Sequence, residues 1–241
     1  RFAAHAELGE ALIAEGAFER AAAAYREALA DAVAIGLPAW ASATVRRRLA
    51  EADAGRGALD EAWRGYDAAA QEMIRAGDPL AAAWIELEQA NCARGAGALE
   101  HAQQLVEGPG LLRLAGEVPH LASERLLIAA RLQAGCGCFC EAAELARRAR
   151  KKALEALAPL SYYGAAVVLA EALEARARRS EAYATLATAW VTLGDLLGNE
   201  VAESWVAPII EAYRMKWGAA GFAAAKSAHD SRRRAEMAAA R

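Results

Sequence analysis

The sequence predicts an all-α fold, an α-solenoid of about five helix–turn–helix repeats of ~40 residues followed by C-terminal capping helices. Two observations predict it. More than a quarter of the 241 residues are alanine, the best helix former, whereas only 7% are aromatic and β-branched runs are nearly absent. In addition, small residues, glycines and prolines recur with a period of about 40 residues, which is typical of a repeat protein.

Three sets of residues recur with this period, at constant distances from one another in the sequence. One period separates each proline from the next, at Pro38, Pro79, Pro119 and Pro159. The alanines continue for one more repeat, at Ala21, Ala62, Ala102, Ala142 and Ala182. A glycine lies five positions before each of the first four alanines, at Gly16, Gly57, Gly97 and Gly137. A large apolar residue follows two positions after each glycine, as Phe18, Leu59, Leu99 and Phe139.

Each position has a physical role in a helical hairpin. Glycine ends the first helix because it adopts positive φ without strain, and the large apolar residue packs into the corner. Alanine lets the two helices approach closely, and proline marks the start of the next helix. The first helices are therefore predicted at about 2–15, 39–55, 80–95, 119–135 and 161–178. The second helices are predicted at about 18–35, 59–76, 98–107, 138–157 and 180–197.

Two regions depart from the pattern. Gly108-Pro109-Gly110 should end the second helix of the third repeat early. A short helical turn should follow through Leu111–Leu114. Residues 200–217 and 219–240 are predicted to form two further helices that cap the stack. We therefore expect one domain, with the repeats at 1–199 and the capping helices at 200–241.

The first repeat resembles the tetratricopeptide repeat, through Leu8-Gly9, Leu12, Gly16, Phe18, Ala21, Tyr25 and Ala28-Leu29. The resemblance extends to 39–76 and 161–197 and is weaker at 80–117 and 119–157. It implies a right-handed solenoid whose first helices line a concave groove, and a non-enzymatic scaffold or adaptor that binds a protein or peptide partner there. By alignment to the repeat, the groove stripe contains Glu10, Arg47, Glu51, Trp84, Asn91, Arg94, Glu124, Arg131, Glu171 and Glu174. Trp40 and Trp63 are expected to pack between helices instead.

No catalytic motif occurs in the sequence, neither a phosphate-binding glycine loop, nor a nucleophile elbow, nor a zinc-protease pair of histidines. We therefore expect no enzymatic activity and no cofactor. The most unusual local pattern is Cys136, Cys138 and Cys140, with Cys92 as a possible fourth ligand. Their spacing differs from the usual zinc pairs, so the favoured interpretation is small apolar residues in a packed corner, and metal or redox chemistry is the alternative.

The charge balance disfavours several partners. The net charge is −3, which makes nucleic-acid binding unlikely despite the basic run at 147–152. No apolar stretch is long enough to span a membrane, and the cysteines form no disulfide framework, which favours a cytoplasmic protein.

The start at Arg1 suggests a second hypothesis, a ligand- or peptide-sensing regulatory domain of a larger transcriptional regulator or signalling ATPase. An uncapped N-terminal helix would also allow a homodimer.

Overall fold

The computed structural model describes residues 1–239, and within them it contains α-helices and no strand. The helices are α1 (Phe2–Ala14), α2 (Phe18–Ala34), α3 (Ala39–Gly55), α4 (Leu59–Arg75), α5 (Pro79–Gly95), α6 (Leu99–Val106), α7 (Pro109–Glu117), α8 (Pro119–Gly135), α9 (Phe139–Glu155), α10 (Pro159–Ala175), α11 (Arg179–Leu197) and α12 (Asn199–Ala239). The all-helical class is confirmed. The chain forms two compact units, residues 1–114 and 115–241.

The periodic residues occupy the positions that the sequence predicts. The five periodic alanines are all completely buried: Ala21, Ala62, Ala102, Ala142 and Ala182. The four periodic glycines have φ between 73° and 83°, and each follows the end of a first helix. Prolines begin α5, α8 and α10, and Pro38 immediately precedes α3. Local sequence therefore sets where nearly every helix begins and ends.

In the first unit, each helix from α1 to α6 packs against the next one along the chain. Leu12 and Tyr25 belong to one apolar cluster, and Tyr66 and Ile85 belong to a second. Polar contacts of matching sequence separation join the two helices of a hairpin. The His5 ring lies 3.0 Å from the Asp31 carboxylate, and Arg46 forms an ion pair with Glu72 at 3.1 Å.

In the second unit, α8 to α12 follow the same neighbour-to-neighbour order around one large core. Tyr162 and Leu186 are almost completely buried in it. Gly218 breaks α12 with φ 71° and ψ 165°, which divides it into segments 199–217 and 219–239. These are the two C-terminal helices that the sequence predicts, and residue 240 of the second lies outside the described residues.

Positive φ continues at the spacing of the periodic glycines beyond Gly137, which the sequence pattern did not show. Ala177, 40 residues after Gly137, has φ 58° at the position where the next periodic glycine is expected. Gly218 follows one period later. Positive φ therefore recurs at this position in the second unit whether or not glycine is present.

Two expectations are corrected. Residues 109–117 form a full helix, α7, where only a short turn was expected, because Pro109 is well placed as a first helical residue. Trp40 does not pack between helices but is 60% exposed, since it lies in the first turn of α3 at the surface. Trp63 is partly buried and stacks on His101, with 5.5 Å between ring centroids.

Candidate functional site

A cleft of about 340 Å³ in the first unit brings together predicted groove residues from two first helices. Helices α3, α4 and α5 form its walls. The cleft is lined by Arg47, Arg48, Glu51, Ala54, Tyr66, Glu88, Asn91 and Cys92. Three of these residues, Arg47, Glu51 and Asn91, belong to the stripe that the sequence predicts. The stripe on α3 and α5 thus faces one shared space.

An ion pair joins the two first helices at this cleft. The Arg47 guanidinium donates to both carboxylate oxygens of Glu88, each at 2.7 Å. The side chain of Arg47 is 22% exposed and that of Glu88 is 43% exposed. A paired guanidinium and carboxylate fix each other's orientation, and each keeps unused hydrogen-bonding capacity toward the cleft.

A second set of charges extends the cleft along α3. The Arg48 guanidinium lies 2.9 Å from Glu51 on the same helix and 3.3 Å from Glu10 on α1. Glu10, another predicted stripe residue, is therefore connected to the cleft through Arg48. Positive and negative groups alternate across this surface, so it offers both donors and acceptors to a ligand.

The inner wall of the cleft is less polar. Tyr66 is 3% exposed, and burial raises the pKa of its hydroxyl well above the ordinary value, with Cys92 and the Glu88 and Glu51 carboxylates adding to the rise. Burial also raises the pKa of the Cys92 thiol, and Glu51 adds to it. Both groups therefore stay protonated near neutral pH. A neutral thiol is a poor nucleophile, and this wall is suited to contact rather than chemistry.

The remaining α5 residues of the stripe lie beside the cleft. The Arg94 guanidinium donates to the Asn91 side-chain oxygen at 3.1 Å and 3.3 Å. Trp84 lies on the same helix, is partly exposed, and is not among the residues that line the cleft. Asn91 is exposed, so its amide nitrogen can still donate to a ligand.

The stripe residues of the second unit connect successive first helices. The Ser161 hydroxyl of α10 donates to the Glu124 carboxylate of α8 at 2.5 Å. The Glu174 carboxylate accepts from the Lys216 ammonium at 2.7 Å and from the Trp217 indole at 3.3 Å. The hydrogen bond from Lys216 lowers the pKa of Glu174, and burial opposes that effect. Glu174 is thus engaged in holding the first segment of α12.

The two stripe residues of the second unit that remain to be described, Arg131 and Glu171, lie near these contacts. An Arg131 guanidinium nitrogen would lie 3.3 Å from a Cβ added at Gly164, so the side chain runs along α10. Desolvation raises the pKa of the Glu171 carboxyl, and the charges of Arg131 and Lys216 oppose the rise. The stripe residues of the second unit thus mostly contact neighbouring helices, and the cleft that stripe residues line lies in the first unit.

The cysteine cluster does not behave as expected. Cys136, Cys138 and Cys140 are all exposed, so the interpretation as apolar residues in a packed corner is wrong. Cys136 and Cys138 flank Gly137 in the turn before α9, and Cys140 lies in the first turn of that helix, at the surface of the second unit. Among the described side chains, no three His, Cys, Asp or Glu residues come close enough to hold a metal ion.

Sequence reasoning missed Arg48, Tyr66, Glu88 and Cys92 in the cleft. One of these could have been found. Glu88 lies 41 residues after Arg47, one repeat period away, and opposite charges at that spacing indicate a contact between successive first helices. Tyr66 is buried, and nothing in its spacing shows that it also borders a cleft.

No protein-family model and no curated protein sequence matches this chain. No helix in the described part of the chain has both the length and the apolarity that crossing a membrane requires.

Proposed function

We propose that this chain is a non-enzymatic, tetratricopeptide-like binding module that holds an extended peptide segment of a protein partner in the α3–α5 cleft. The observation that carries the proposal is the convergence of Arg47, Glu51 and Asn91 on one open cleft. The neutral wall of Tyr66 and Cys92 beside them suits a contact surface.

The repeat interpretation supports this function. Polar contacts join successive first helices at about one period, as in Arg47 with Glu88 and in Glu174 with Lys216. The Tyr163 hydroxyl continues the series by donating to the Trp205 carbonyl at 3.0 Å. Residues 199–239 thus continue these contacts between successive first helices within the second unit. In such a stack the first helices share one face.

The cleft favours a peptide that carries both charges. An extended segment presents backbone donors and acceptors along its length, which the Asn91 amide and the flanking carboxylates can meet. An acidic side chain of the peptide would lie near Arg47 and Arg48, and a basic one near Glu88 and Glu51. We therefore expect a partner segment with alternating charge and an apolar side chain for the Tyr66 wall.

The test begins with a random-peptide library selected on the whole chain, followed by binding measurements on the enriched peptide. The key variant is the double exchange Arg47→Glu with Glu88→Arg, which retains an ion pair but reverses its direction. Affinity should fall about tenfold or more, because charged hydrogen bonds to the peptide are replaced by repulsion.

The matched control is Arg64→Gln, an arginine on α4 that pairs with Glu61 at 3.6 Å and does not line the cleft. It should leave affinity within about twofold. Circular dichroism confirms that both variants fold. A selected peptide that binds the exchanged variant as tightly as the original chain would refute the proposed site.

A further inference from the structure

A basic cleft in the second unit stands apart from the peptide site. It consists of two adjoining hollows, of about 350 Å³ and about 420 Å³, that share Ala184, Thr188 and Arg232. The first is also lined by Arg147 and Arg150 of α9. The second is also lined by His229 and Arg233 of α12. The fold thus brings together arginines from two helices that are far apart in the sequence.

Arg150 is held in place by a buried tyrosine. The Arg150 guanidinium donates to the hydroxyl of buried Tyr162 at 2.9 Å, and its carbon lies 5.1 Å from the centre of that ring. One donor is used in this bond, and guanidinium carries five, so donors remain for a ligand. An arginine fixed in this way loses less conformational entropy when an anion binds.

Few carboxylates compensate the charge of these arginines. Among the side chains that the structure describes, Arg150, Arg232 and Arg233 form no ion pair. Arg147 lies 3.5 Å from Glu144, but both side chains are largely exposed, so the pair is weak. Glu181 is the one carboxylate that lines the described cleft, and the Arg178 guanidinium donates to it at 2.6 Å. The cleft therefore has a net positive potential.

The charge of the whole unit strengthens this potential. Residues 115–241 contain 17 Lys and Arg against 14 Asp and Glu, a net charge of +3. Residues 1–114 contain 11 against 17, a net charge of −6. The net charge of −3 for the whole chain conceals this asymmetry. Charge of one sign around a cleft concentrates the oppositely charged ligand there.

We infer that this cleft binds a compact anion with adjacent phosphate groups, such as a short polyphosphate chain or the phosphates of a nucleotide. Guanidinium groups on opposite walls match phosphate oxygens in pairs, and the Thr188 hydroxyl at the shared edge adds a neutral donor. A single carboxylate would satisfy too few of these donors. The inference does not depend on the peptide site.

The test is titration calorimetry of the whole chain with inorganic tripolyphosphate and, separately, with ATP. Arg232→Glu, at the point that both hollows share, should weaken tripolyphosphate binding about tenfold or more. The matched control is Arg234→Glu on the same helix, which lines neither hollow and lies 3.4 Å from the Ser231 hydroxyl. It makes the same change of charge and should weaken binding less than about threefold.

A further variant, Arg147→Gln, tests the opposite wall and should also weaken binding. Equal affinity for ATP and tripolyphosphate would assign recognition to the phosphate chain alone, and tighter ATP binding would assign it to a nucleotide. The inference is overturned if neither ligand binds, or if Arg232→Glu and Arg234→Glu have the same effect. Duplex DNA that displaces tripolyphosphate and depends equally on both arginines would overturn it as well.

Discussion

The turn after α10 allows a direct test of how strongly left-handed backbone limits the stability of this protein. Ala177 has φ 58° and is exposed, and two backbone hydrogen bonds close its turn. Gly137, one period earlier, has φ 78° and a turn closed by the same two bonds. A Cβ added at Gly137 would meet no atom within 4 Å. The two positions thus differ in residue type while sharing geometry.

The magnitudes follow from this comparison. A left-handed conformation costs a residue with a side chain about 1–2 kcal/mol, and glycine loses about 0.5–1 kcal/mol more chain entropy on folding. Ala177→Gly should therefore raise the free energy of unfolding by about 0.5–1 kcal/mol. Gly137→Ala should lower it by about the same amount. For a chain of this size the corresponding shifts in Tm are about 1–4 °C.

Urea unfolding followed by far-UV circular dichroism measures both changes. The slope against urea should stay constant in the two variants, because neither changes the surface exposed on unfolding. The variant with both substitutions should return close to the original stability, since the turns are separate and their effects add. Shifts of the same sign in the two single variants would refute the reasoning.

Two further predictions concern helix contacts. Glu174→Gln removes the charged bond to Lys216, whose side chain is largely exposed, and should cost about 0.5–1 kcal/mol near neutral pH. Because the hydrogen bond from Lys216 lowers the folded-state pKa of Glu174, this stabilisation is complete above the ordinary carboxyl pKa and is lost as the pH falls through the lowered one. The two chains should therefore converge in stability in acid, and a gap that persists there contradicts the ion pair. Gly65→Ala should cost about 1–3 kcal/mol, because the new Cβ would lie 2.9 Å from the Cβ of Ala50. Gly95→Ala, which meets open space, is its control and should not destabilise the chain in thermal unfolding.

The helices could be predicted because their limits depend on local residues. Gly137 and Pro119 act through their own backbone, and completely buried Ala142 acts through its small size. Each of these effects is visible in the sequence at a fixed spacing. The continuation through Ala177 was hidden, since alanine there adopts a conformation that normally selects glycine.

The sites were harder to predict because side chains meet across helices. Arg47 was placed in the groove by alignment, but its partner Glu88 is recognised only when charges one period apart are compared. Arg150 lies in the basic run at 147–152 and Arg232 lies in α12, and only the packing of α9, α11 and α12 brings them to one cleft. The exposed cysteines show the opposite error, where residue type suggested burial and the turn at Gly137 prevents it.

The most direct test of the peptide site is photo-crosslinking from the cleft itself. Benzoylphenylalanine replaces exposed Asn91, which lines the cleft, or Arg64, which does not, and the selected peptide is added at its measured Kd. A binding module that uses the α3–α5 cleft predicts crosslinked peptide from position 91 and little from position 64. Equal crosslinking from both positions, or crosslinking from position 64 alone, would contradict it.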